Sequence, residues 1–272
     1  DLSGGGAPEL DNSGTVNNYS TFTINGGGGP GICLLNNSSG IFNHFSGLWT
    51  ASSGNGVRVD NSGLITLHGD ATFTSGPGNS LNNNLTGIIE HYGGRLTNRS
   101  FDDTGFQNDG TYYGGAASSI SITLGAGAGI LNTGTFIDTA GCLINIQSLA
   151  GDFIWNAGLM HIDCIDTLFF GGTDGIHNAS TGVFRQNLGS MALSGFGSDF
   201  IENDNYFYAN VAINEASGGT PNYILNNKDS MILGPNSSLT VDATAGFVFN
   251  SGLLDNAGEW KLSHSGITVI NN

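Results

Sequence analysis

Basic side chains are scarce in this 272-residue chain: six Lys and Arg stand against 22 Asp and Glu, a formal net charge of −16 at pH 7. Nucleic-acid binding needs a cationic footprint for the phosphates, so nucleic acid is not an expected partner. An anionic membrane surface repels the same balance. No apolar run approaches the ~20 residues of a membrane span, so insertion is not expected either. The acids are scattered rather than clustered, which leaves little case for calcium. A sustained period of 3.6 residues is also missing, and 45 glycines oppose helix.

Signatures of chemistry are equally sparse. There is no Ser-His-Asp elbow, phosphate loop or dinucleotide fingerprint. His44, His68, His91, His161, His177 and His264 occupy different phases of the repeat described below, so neither a metal ladder nor a cofactor is expected. Asp102-Asp103, with Arg95, Arg99 and Asp109 nearby, is a candidate sugar-cleaving carboxylate pair. Neighbours on a strand point to opposite faces, however, so a surface turn is the better reading and no enzyme is expected. Asp163 and Asp166, beside His161 and Cys164, read as a surface Asp pair rather than as ligands, and residues 171–175 as a turn rather than a calcium loop. Only three cysteines are present. Cys142 and Cys164 lie eight and six residues after their turn glycines, two out of register for stacking, which favours buried thiols over a disulfide. Cys33 is left over, either buried or free for an intermolecular bond.

What the chain does have is a period. A turn position recurs at Gly14, Gly40, Gly63, Gly87, Gly110, Gly134, Gly158, Gly182, Asn205, Asp229 and Gly252, with gaps of 26, 23, 24, 23, 24, 24, 24, 23, 24 and 23. Asn and Asp are the residues that best replace Gly at positive φ, so this column is expected to need a left-handed corner. Just before it stands Asn: Asn12, Asn37, Asn61, Asn84, Asn108, Asn132, Asn156, Asn178, Asn203, Asn227 and Asn250. Stacked Asn side chains can hydrogen-bond along such a ladder. Two residues after the turn all eleven positions are apolar or aromatic, from Val16 through Phe136 to Leu254, and should point inward. A second apolar set precedes the turn (Leu10, Leu35, Val59 and onward), and a looser third follows it (Phe22, Trp49, Leu143 and onward).

Short apolar alternations between Gly, Asn and Ser read as strands and turns. A fixed period near 24 residues makes them a solenoid. The expectation is all-β: a single-domain parallel β-helix of about eleven coils over 11–272, wound right-handed by the crossover rule, preceded by a Gly-rich arm over 1–10. At ~4.8 Å per coil the rod is on the order of 50 Å long.

Neither end reads as a capping element. Either further coils adjoin, or copies stack end to end, with Leu2, Leu10 and Val16 at one end and Leu254, Trp260, Leu262, Ile267 and Val269 at the other. The chain begins at Asp1 without Met, consistent with a removed signal peptide or a cut boundary.

Asn-Ser-Gly-Thr-Val at 12–16, Asn-Ser-Gly-Leu-Ile at 61–65, Asn-Thr-Gly-Thr-Phe at 132–136 and Asn-Ala-Gly-Leu-Met at 156–160 resemble the Asn-x-Gly-x-apolar repeats of bacterial surface β-solenoids. Filamentous-haemagglutinin-like adhesins and autotransporter passengers carry repeats of this style. The resemblance implies a secreted, extracellular structural or adhesive role and transfers no catalytic residue. Three functions are therefore expected in order: a self-assembling fibre subunit stacking head to tail, an adhesin stalk or passenger with cell-surface glycans as partners, and a polysaccharide-degrading enzyme.

Overall fold

Residues 130–149 show how the alternation becomes structure. Ile130–Asn132, Thr135–Asp138 and Leu143–Leu149 are strands. Ile130, Asn132, Phe136, Asp138, Ile144 and Ile146 are buried, because successive side chains of a strand leave on opposite sides. The three strands form three walls around that apolar interior, and we call them faces 1, 2 and 3 in this order.

The computed structural model repeats this triangle along the chain. It describes every residue except 1, 5–7, 27–30, 53–55, 75, 140, 165, 173, 197–198, 217–221, 243–245, 263–266 and 272. Face 1 runs from Leu10–Asn12 to Ile267–Asn271 in twelve strands, and face 3 from Leu2–Gly4 to Glu259–Leu262, also in twelve. Face 2 runs from Thr15–Asn18 to Leu253–Asn256 in eleven. Ile88–Phe101 and Thr111–Gly125 pass through faces 2 and 3 without a break. Each strand pairs in parallel with its counterpart one coil away, as Phe106↔Ile130↔Ile154 on face 1 illustrates. The chain is thus an all-β, single-domain parallel β-solenoid, and no helix occurs among the described residues. Leu2–Gly4, within the expected arm, pairs with Phe22–Gly26, so the rod begins inside that segment.

The inward column of face 2 is as the periodicity implies. Phe42, Ile65, Ile89, Tyr112, Phe136, Met160, Phe184, Phe207 and Met231 are all buried. Coil spacing stacks their rings, with centroids 4.4 Å apart for Tyr112–Phe136 and 4.7 Å for Phe184–Phe207. On face 1 the buried residue is Leu34, not Leu35, and on face 3 it is Ile144, not Leu143.

The turn column corrects the expectation about φ. No member of it has a positive φ; among the described residues those values fall elsewhere, including Gly47, Gly94, Gly141 and Gly189 at the corner from face 2 to face 3. The column is Gly for room. A Cβ on Gly134 would strike the carbonyl oxygen of Gly110, and one on Gly158 that of Gly134, deep inside van der Waals contact. The two members with side chains differ: Ser230 N–H, after Asp229, keeps an ordinary 2.9 Å bond to Asn205 O, whereas the step after Asn205 is long. The ladder bond from Tyr206 N–H to Gly182 O is stretched to 3.4 Å, against 2.8 Å for Val183 to Gly158. Gly14, in the first coil, would meet nothing within 4 Å.

Cys142 and Cys164 form a disulfide, Cα atoms 4.5 Å apart, where buried thiols were expected. The corner from Asp138 to Leu143 takes five steps and that from Ile162 to Asp166 only four, so counting from the turn glycine overstated the offset. Cys33 is buried, outside the disulfide, with its Sγ 3.6 Å from Ser52 O.

Candidate functional site

Twelve asparagines on face 1 form one continuous ladder. Asn12, Asn36, Asn61, Asn83, Asn108, Asn132, Asn156, Asn178, Asn203, Asn227, Asn250 and Asn271 stand one per coil, and each Nδ2 donates to the Oδ1 of the next at 2.6–2.8 Å. The members are Asn36 and Asn83, not Asn37 and Asn84. The latter two face outward and donate instead to Asp11 and Ser13, and to Asp60 and Ser62. From Asn12 to Asn227, the second Nδ2 hydrogen goes to a backbone carbonyl of the following coil, from Ile41 O to Leu253 O, at 2.9–3.2 Å. Buried amides need such partners, and here the repeat supplies them.

The ladder has a direction. Every amide nitrogen points toward the C-terminal end and every oxygen toward the N-terminal end. Among the described residues Asn12 Oδ1 therefore receives no side-chain amide and holds only a 3.2 Å bond from Gly14 N–H. Asn271 accepts from Asn250, while its own Nδ2 has no acceptor among the described residues. One end of the row offers an acceptor and the other a donor.

Apolar surface accompanies both ends. Leu2, Leu10 and Val16 at one end, and Leu254, Trp260 and Leu262 at the other, pack against the core but are only partly buried. Val269 aligns with the buried Val248 and points inward, yet is 56% exposed. With Leu254, Trp260 and Asn271 it borders a cavity of about 190 Å³. The backbone of Ile267 pairs with Gly246; its side chain lies outside the described positions.

No family model, no curated protein and no solved structure matches this chain.

The other sequence candidates are dispersed. Asp102 and Asp103 are exposed on the rim of a groove of about 420 Å³ that also holds Leu131, Trp155 and Asp152. Burial and the neighbouring Asp174 carboxylate push the Asp152 carboxyl up to about 6. His44 and His91 are buried corner residues, whereas His68 stacks outside between Phe45 and Tyr92. His161 sits on face 2 and His177 on face 1; His264 and Thr173 lie outside the described residues. His177, Glu202 and Asp204 come within 4.8 Å of one another, a grouping the sequence did not suggest. Its cation is already present: Lys228 Nζ contacts Glu202 and lies 3.0 Å from Asp204. Asp138 meets the disulfide in the interior, and burial pushes its carboxyl up to about 8 against weaker opposing bonds from the Ser118 hydroxyl and Thr139 N–H.

Proposed function

We propose that this chain is a structural subunit of an extracellular fibre or surface appendage that grows by head-to-tail stacking of copies. The directional asparagine ladder carries the reading. With Asn12 of one copy over Asn271 of another, the unused Nδ2 meets the open Oδ1 at the spacing already repeated eleven times within the chain. The same placement pairs Leu10–Asn12 with Ile267–Asn271 on face 1, and Leu2–Gly4 with Glu259–Leu262 on face 3. It also covers the half-buried Leu2, Leu10, Trp260 and Leu262 and the exposed Val269, while face 2, one strand shorter, leaves Val16 and Leu254 two layers apart. Contacts of this heterologous kind generate open filaments. The Cys142–Cys164 disulfide supports an oxidising compartment. The side faces stay exposed in such a fibre, and cell-surface glycans are the partner class proposed for them.

Electron microscopy of the purified chain across a concentration series tests this. Unbranched filaments are expected, with an axial repeat of about 58 Å from twelve layers at about 4.8 Å. Two substitutions at the junction separate assembly from folding. Asn271→Asp removes the donor, and Val269→Asp puts a charge on a side chain that is 56% exposed in the single chain but covered in a stack. Both variants should melt like the parent chain and fail to polymerise. Monodisperse parent particles at every concentration, or filaments unaffected by both substitutions, would sink the proposal.

A further inference from the structure

Face 2 carries a second feature, independent of the rod ends. His161, Arg185 and Tyr208 fall in one register column on three successive coils, all facing outward. Tyr206 lies diagonally beside them, with the Arg185 guanidinium stacked 5.4 Å from its ring centroid. These residues and Asn187 line a depression of about 220 Å³. Arg185 has no carboxylate within 4.0 Å among the described residues, although the chain carries 22 acids. Asp163, beside His161, is already engaged. It accepts from the backbone N–H groups of Asn187 at 2.8 Å and Leu188 at 3.3 Å, and lies 3.1 Å from His161 Nε2. Asn187 Nδ2 lies 2.7 Å from that same ring nitrogen and keeps a second hydrogen.

We propose that this depression binds a glycan through a single terminal carboxylate, as in a sialic acid or a lone uronic acid. Contact with Tyr206 restrains the exposed guanidinium, whose planar fork suits a bidentate carboxylate. The Tyr208 hydroxyl one coil on and the Asn187 amide two residues along the same coil add polar partners around the guanidinium. The tyrosine rings offer apolar surface to the C–H face of a pyranose ring. A single charge is favoured over a polyanion because the same outward column carries Glu90 toward one end and Asp255 toward the other, in a chain of net charge −16. A polyuronate lying along the rod would cross both, whereas a single terminal carboxylate needs only Arg185 as its partner.

Calorimetric titration of the full chain with sialyllactose, its methyl ester and lactose, at low salt and pH 7, tests the site. Sialyllactose should bind about tenfold or more tightly than lactose, and the ester should fall to the lactose level. Arg185→Gln should abolish the preference, and Arg185→Lys should retain only part of it, since an ammonium cannot form the two-pronged contact. Tyr208→Phe should weaken binding about threefold. Arg185 is exposed, so these variants should melt like the parent. No heat with sialyllactose, equal binding of the ester, or an unchanged preference in Arg185→Gln would each overturn the assignment. Filament formation is not involved, so the outcome does not depend on the stacking of copies.

Discussion

Replacing Asn132 by Asp changes one NH2 to an oxygen and nothing in shape, yet it should break the ladder in one direction. Asn132 Oδ1 accepts from Asn108 at 2.8 Å, and an Asp can still do so. Its Nδ2 donates to Asn156 Oδ1 at 2.8 Å and to Leu159 O at 3.1 Å; an ionised Asp loses both bonds and a protonated one keeps at most one. Each orphaned buried acceptor costs about 1–3 kcal/mol, so the pair costs about 2–6 kcal/mol before any charge is counted. The site is fully buried, so the introduced carboxyl faces other oxygens and its pKa must rise. Between its unfolded and folded pKa values the folded state then binds the extra proton. Stability falls as pH rises through that window, and the defect should be smallest near pH 4 and largest above pH 7. Against a typical domain stability of about 5–15 kcal/mol this is a large fraction. Urea unfolding followed by circular dichroism at several pH values measures it. Asn271→Asp is the internal control, because that Nδ2 has no described acceptor; it should cost about 0.5 kcal/mol or less. Equal destabilisation by the two variants, or an Asn132→Asp midpoint at the parent value, would refute the ladder as a structural element.

Two further outcomes follow from the interior. The Asp138 carboxyl has a folded pKa of about 8 against an ordinary 3.8, so the folded chain holds a proton that the unfolded chain releases between those values. Stability should therefore decline from about pH 4 to pH 8, by on the order of 5 kcal/mol at 1.36 kcal/mol per unit. The substitution Asp138→Asn should remove that slope and leave the variant the more stable above pH 8, as paired denaturation curves would show. Removing the disulfide with Cys142→Ala and Cys164→Ala, residues 22 apart in sequence, should cost about 3 kcal/mol in the same assay. Both sulfurs are fully buried, so reductant should act on the parent only as it unfolds, which thiol trapping across the urea transition would detect.

The sequence makes the coil legible because a solenoid writes the same instruction repeatedly. Phe136 and its counterparts two residues past each turn must all face the interior, and they do. What it hides is anything decided by corner length or by parity. Asn36-Asn37 and Asn83-Asn84 each offer two candidates for the ladder. The choice follows from Leu34 and Leu81, the inward residues two positions before Asn36 and Asn83, a parity signal that proximity to the glycine obscured. The disulfide escaped because its two corners differ by one residue. The glycine column was located correctly but given the wrong cause: the restriction comes from the coil beneath rather than from the residue's own dihedral. His161, Arg185 and Tyr208 each stand three residues past a turn position, so reading polar columns at fixed offset would have brought them together. The stacking of Arg185 on Tyr206 had no such signal.

The uniform orientation of the ladder has an electrical consequence. Backbone dipoles in a sheet largely cancel, because successive N–H groups along a strand point opposite ways. The side-chain amides of face 1 do not alternate: all twelve align along the rod axis. Taking roughly the 3.5 D of a peptide unit for each, the row sums to about 40 D, negative at the Asn12 end and positive at the Asn271 end. Every added copy would lengthen this dipole rather than offset it, so a filament would be an electret with distinguishable poles. Neighbouring filaments would then lie more favourably antiparallel than parallel, and dilute rods would align in an electric field.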